Sequence, residues 1–143
     1  MLFLTKKEVM DKIGPFDRDY YLYYEEIDYC LRAKKNGWKI FFYPGTEAIH
    51  LGGESAKKLG RITSSGKQLE RLKMQSEFIY FRKNYGILYV FLDFIFILML
   101  NTIALSKIVT SKDKNRKLSE ISNVIKSSFN ILISTKFGLI SND

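Results

Sequence analysis

The chain has 143 residues, 46% apolar, 15% aromatic and 27% charged, which is enough for one modest hydrophobic core and too little for two independent domains. Two prolines, nine glycines and the lack of any repeat exclude collagen-like, linker-like and solenoid architectures. A lone Cys30 excludes an intramolecular disulfide framework and a cysteine-rich metal site, so chemistry has to rest on carboxylates, bases and the single histidine, His50.

The net charge of +8 is unevenly placed. Residues 1–50 carry eight acids and eight bases, whereas residues 51–143 carry seven acids and fifteen bases. The whole excess therefore lies in the second part and points to an anionic partner. Nucleic acid is the weakest candidate, because the bases lack an aromatic-interleaved recognition motif and cluster beside a hydrophobic run. An anionic membrane surface fits better.

In chain order, the apolar Met1–Thr5 has no basic flank, so no signal peptide is expected; it reads as a buried strand end. Thr5-Lys6-Lys7-Glu8 matches a capping box, and a helix with Val9, Met10 and Ile13 inward should follow and stop at Gly14-Pro15. Phe16–Tyr24 is aromatic without helical period and reads as an ordered loop. A second helix is expected from Glu25 to Lys35, stopped by Asn36-Gly37. Trp38–Tyr43 has strand composition, Pro44-Gly45 is a turn, and Thr46–Leu51 reads as a second short strand ending at His50. Residues 52–66 form a Gly/Ser-rich basic loop of a length usual for functional lids. From Lys67 to Tyr85, Met74, Phe78, Phe81 and Tyr85 fall at helical spacing.

Gly86 then separates this helix from the apolar run 87–105. That run is long enough for a bilayer core, which needs about 20 helical residues. Its thirteen Leu, Ile, Val and Phe residues each favour insertion by about 0.3–0.6 kcal/mol, against about 2.5–3.5 kcal/mol for an acid such as Asp93 at the helix centre. Membrane contact is favoured, by crossing or by lying on the surface. Beyond it come the basic stretch Lys112–Lys117 and a weakly amphipathic helix carrying Ile121, Val124, Ile125, Phe129, Leu132 and Ile133.

The densest acidic group is Glu25-Glu26-Ile27-Asp28, in the expected first turn of a helix. Free N–H groups and the helix dipole should keep such acids ionised, and an ionised acid can serve as a base. Acids in a first turn are also ordinary capping chemistry. His50, at a strand end before Gly52 and Gly53, is placed as a phosphate or cation contact would be.

The order of these residues resembles the second half of family 2 glycosyltransferases of the rhamnosyltransferase-like kind. The blocks are Ile13-Gly14-Pro15-Phe16-Asp17, Tyr21-Leu22-Tyr23-Tyr24-Glu25-Glu26-Ile27-Asp28-Tyr29-Cys30-Leu31-Arg32, Asn36-Gly37-Trp38-Lys39-Ile40, Tyr43-Pro44 and His50-Leu51-Gly52-Gly53-Glu54-Ser55. In that family they read roughly G-G-F-D-E-x-F-F-L-Y-x-E-D-x-D-L-x-x-R, then G-W-x-(I/V), P, and H-x-x-G-x-S. The resemblance implies an α/β fold, the C-terminal part of a GT-A domain over residues 1–85, followed by a hydrophobic, basic, mostly helical membrane-associated extension over 86–143. It implies transfer of a sugar from a nucleotide-sugar donor to a glycan or lipid-linked acceptor, with inversion, at the cytoplasmic face of a membrane.

A divalent metal, Mg or Mn, belongs to that expectation. The family's base is usually the second acid of the pair, which carries over to Glu26, with Glu25 and Asp28 beside it. The family's second acid is Asp, and the longer side chain of Glu26 leaves the choice between Glu25 and Glu26 open. Tyr24, Arg32, Trp38, Ser55 and Lys57 are the implied substrate-binding residues, and His50 the implied metal or diphosphate contact. The family's nucleotide-binding series with its D-x-D motif has no counterpart here, since Asp17-Arg18-Asp19 falls inside the F-D-E block. A transferase portion incomplete by itself is therefore expected, the alternatives being an inactive membrane-surface module or a gene remnant.

Overall fold

The computed structural model describes residues 3–21, 23–45, 47, 49, 67–108 and 113–140. Among them are five helices: α1 (Lys7–Ile13), α2 (Glu25–Lys35), α3 (Lys67–Tyr85), α4 (Ile87–Ile108) and α5 (Lys114–Ser134).

The helices lie where hydrophobic period and stop signals put them, and the stops work by the expected geometry. Gly14 caps α1 with φ +77°, its N–H donating to the carbonyl of Met10. At the end of α2, Gly37 (φ +82°) donates to Lys34 and Trp38 donates to Ala33, the paired bonds of a Schellman motif. The apolar contact that goes with this motif is present, since Trp38 packs with Ala33, Val9 and Tyr29. The capping box did not form. Lys6 occupies the cap position without a side-chain bond, and the Thr5 hydroxyl lies 3.2 Å from the Tyr29 hydroxyl instead, drawn to the α1–α2 interface.

The α/β expectation is overturned: the described residues are helical or irregular and contain no strand. Residues 38–43 have strand composition, yet among the described residues no extended neighbour lies beside them, and Phe41 and Phe42 are 80% and 91% exposed. A strand exists through its hydrogen-bonded partner, and composition cannot supply one. Residues 3–5 are likewise unpaired. The strand expected over 46–51 and the loop over 52–66 lie largely outside the described residues.

Helices α3, α4 and α5 run up, down and up around one core. Phe78, Val90, Ile131 and Leu132 are buried there, with Met74, Phe81, Phe94 and Ile97 packed against them. Each fully buried side chain of this size contributes about 1.5–3 kcal/mol, so this cluster is the main hydrophobic store of the fold. The single residue between α3 and α4, Gly86 (φ +94°), makes the reversal, its N–H reaching Phe81 and Arg82. α4 and α5 pair antiparallel along their length: Phe91 meets Phe137 (5.6 Å between ring centres), Phe94 meets Phe129 (6.5 Å), and Leu105 lies beside Leu118 and Ile121.

α3 also faces the first part of the chain. Ile79 and Tyr80 are buried with Tyr20, and Tyr24 and Leu31 close that second cluster. The helix therefore belongs to both packing units, across the boundary that composition suggests at residue 85. Two further ties reinforce the junction: Lys83 pairs with Asp17 (2.6 Å) and Asp19, and its ammonium lies over the Tyr20 ring.

Candidate functional site

The first turn of α2 carries the acidic group, and it divides into two environments. Asp28 points inward and is saturated. Its Oδ1 accepts from the Tyr20 hydroxyl (3.2 Å) and from Asn84 Nδ2 (3.1 Å), and its Oδ2 accepts from Arg32 Nε (2.7 Å). Arg32 in turn donates to the carbonyls of Ile13 and Pro15, holding the end of α1 and the turn after it. Burial, with the Asp28 charge adding to it, pushes the Tyr20 hydroxyl pKa well up, so it stays a donor. Asp28 and Arg32 thus tie the loop, α2 and α3 into one unit.

Glu25 and Glu26 lie beside that hub and are differently placed. One carboxylate oxygen of each, Oε2, is buried without a hydrogen-bond partner. Burial raises the Glu25 pKa. The N–H groups of Glu25 and Tyr23 pull it back, while the charge of Glu26 and a hydrogen bond between the two carboxyls push it further up. This corrects the expectation of depressed acids in a first helical turn for Glu25, because desolvation and a neighbouring acid outweigh the backbone donors. A carboxylate whose pKa is raised in this way is a stronger base toward a hydroxyl proton. The backbone leading in is constrained: Tyr23 has φ +81°, a left-handed conformation that a tyrosine adopts at a cost of order 1–3 kcal/mol.

Tyr24 adjoins the pair. Its ring packs on Tyr80 (5.3 Å between centres), and burial followed by the hydrogen bond to Glu77 raises its pKa well above the usual range. Asp93 of α4 lies within electrostatic reach of both Glu77 and Tyr24, which places this acid on the bundle side of α4 and not on its outer face.

Among the implied site residues, the structure therefore gathers Tyr24, Glu25, Glu26, Asp28 and Arg32 in two turns. Trp38 lies at the other end of α2, about 15 Å along the axis, packed as the cap described above with its Nε1 buried and unpartnered. His50, Ser55 and Lys57 lie outside the described residues. Asn84, Glu77 and Lys83 enter the site from α3, and no local signal announces them, since their partners are far away in sequence. Among the described residues no group of three His, Cys, Asp or Glu side chains comes together to hold a metal ion. Asp17 and Asp19 are engaged with Lys83.

A groove lies elsewhere, between α4 and α5. It has a volume of about 600 Å³ and is lined by Phe94, Leu98, Ile125, Lys126, Phe129 and Asn130, without a carboxylate. α4 itself is long and apolar enough over Ile87–Ser106 to cross a membrane, and only 6% of that window is buried against the rest of the fold.

No protein-family model and no solved structure matches the chain. It is similar to N-acetylglucosaminyl-diphospho-decaprenol L-rhamnosyltransferase from two strains of Mycobacterium tuberculosis, in each case 31% identical over 62 residues. The match covers 43% of this chain and 19% of the relative.

Proposed function

We propose that the chain is part of a glycosyltransferase of the family 2 kind and contributes the carboxylate that activates the acceptor. The observation that carries this reading is the Glu25–Glu26 pair, with its buried, unpartnered oxygens beside the strained Tyr23. The relative supports transfer of a sugar, and its name supports an acceptor of the sugar-diphospho-polyprenol class.

In the proposed step, Glu26 or Glu25 takes the proton of an acceptor hydroxyl. The oxygen then attacks the anomeric carbon of a nucleotide-sugar from the face opposite its diphosphate. The new C–O bond forms as the bond to the diphosphate breaks, the diphosphate leaves with the electron pair, and the base keeps the proton. Asp28 and Arg32 hold the turn that positions the pair. The nucleotide, and any Mg or Mn that accompanies it, would be held by residues other than those described, with His50, Ser55 and Lys57 proposed to contribute. The exposed apolar face of α4 would keep the site at a membrane, on its cytoplasmic side, where the lipid-linked acceptor is presented.

The test is sugar transfer from nucleotide-sugars to a polyprenyl-diphosphate-linked acceptor, measured in membranes of cells that make the chain. A positioned base is worth about 10²–10⁴-fold in rate. Glu26→Gln or Glu25→Gln should lower kcat by that order with little change in donor KM. Full activity of both variants would remove the assignment, and membrane binding without any dependence on the pair would favour an inactive membrane-surface module.

A further inference from the structure

The outer surface of α4 is apolar over six turns. Leu88, Leu92, Ile95, Met99 and Ile103 follow one another at helical spacing along the middle of that surface, and each is exposed. A soluble monomer rarely leaves so long a contiguous apolar stripe in water. Composition allows two membrane arrangements, crossing or lying flat, and the packing of the bundle discriminates between them.

α4 does not stand alone. α5 is antiparallel to it from the Phe91–Phe137 contact at one end to Leu105 beside Leu118 and Ile121 at the other. Any crossing of the bilayer by α4 with the bundle intact takes α5 along. Lys126 lines the groove beside Phe94 and Leu98, half-way along α4, and would be carried to the bilayer centre. On the other flank α3 would bring in Glu70, Arg71 and Lys73, all exposed on its surface. Charges carried into the hydrocarbon add to the penalty that Asp93 alone would impose there.

Lying flat removes the conflict. The α4 stripe enters the interface, α3 and α5 stay above it, and the exposed Lys114, Lys117 and Lys126 lie at headgroup level. The excess of fifteen bases over seven acids in residues 51–143 makes anionic lipid the complementary surface.

We propose that the α3–α4–α5 bundle is a monotopic membrane anchor, in which α4 lies in the plane of an anionic lipid interface with its Leu88–Ile103 stripe in the acyl region. This deepens the membrane placement given above and rests on it. Both ends of α4 are then on the same side of the membrane, and the Glu25–Glu26 pair is held at headgroup level, where the diphosphate of a lipid-linked acceptor is found.

The test uses the full chain with Cys30→Ser and single spin labels at Leu88→Cys, Ile95→Cys, Ile103→Cys and Lys126→Cys. The probe is vesicles of phosphatidylcholine and phosphatidylglycerol, and depth is read from oxygen against nickel-reagent accessibility. The proposal expects one shared depth for positions 88, 95 and 103, about 5–10 Å below the headgroups, and a headgroup depth for position 126. A profile that is deepest at 95 and shallow at 88 and 103, with 126 as deep as 95, would show a crossing helix and overturn it. Failure of the protein to float with the vesicles would overturn it as well, and would remove the membrane placement itself. Quenching of Leu92→Trp by lipids brominated at different acyl positions, read against Trp38 of the unmodified chain, gives the same depth with Cys30 in place.

Discussion

Asn84 at the end of α3 donates its side-chain amide to Asp28 in the first turn of α2 at 3.1 Å, across 56 positions of sequence. The same amide also donates to Tyr80 of its own helix, so it is oriented before it meets the carboxylate. With the Tyr20 hydroxyl and Arg32, this bond makes Asp28 the point where loop, α2 and α3 are joined.

Asp28→Ala should therefore destabilise the whole fold. The Asp28 side chain is 5% exposed, and its loss leaves Arg32, Tyr20 and Asn84 with unmet donors. Removing one member of a buried, hydrogen-bonded pair costs about 3–5 kcal/mol, and the partial exposure of Arg32 puts this pair at the lower end. Urea unfolding checks it: a loss below about 1 kcal/mol would show that the hub is not a structural tie.

Glu25→Gln should stabilise the protein at neutral pH. The folded state raises the Glu25 pKa above its ordinary 4.5, so the fold binds the proton more tightly than the unfolded chain does. Stability then falls as pH rises from that ordinary value through the raised one, and the neutral amide is spared this loss. The Gln variant should melt above the natural chain at pH 7, and the gap should shrink with falling pH and vanish below about 4.5. Melting curves from pH 4 to 8 give the answer, and a less stable Gln variant at pH 7 would show that the carboxylate is stabilised in the fold.

Gly138→Ala should loosen the bundle at its closing turn. After α5, Lys136 and Phe137 are left-handed (φ +48° and +58°), Gly138 follows at φ +80°, and the N–H groups of Lys136 and Phe137 reach back to Ile133 and Leu132. A Cβ on Gly138 would collide with the Phe78 carbonyl oxygen, which is helix backbone and cannot turn aside. The left-handed conformation alone costs a non-glycine residue about 1–2 kcal/mol, and the clash adds to it. Lys136→Gly, with the same handedness and an exposed position, should instead leave stability unchanged or raise it by up to about 1 kcal/mol. Equal effects of the two substitutions in thermal unfolding would remove the close-approach argument.

Every helix among the described residues could be read from the chain itself, because a helix is closed by bonds to residues a turn away and its stop signals are local. Gly14, Gly37 and Gly86 mark the ends that the backbone then realises, and the apolar run from 87 is a helix for the same reason. The acidic turn was legible as a cluster, but its division was not. Asp28 became a tie because Asn84 and Tyr20 arrive from elsewhere, and Glu25 rose in pKa because packing removed its water. Trp38–Tyr43 shows the converse, strand composition without a strand, because pairing is a property of two segments and composition describes only one. Likewise the length of α4 allowed a crossing helix, and only the charged α5 packed along it speaks for one that lies flat. Local bonding and periodicity are written in consecutive residues; desolvation, partnership and membrane orientation depend on which distant residues share the same space.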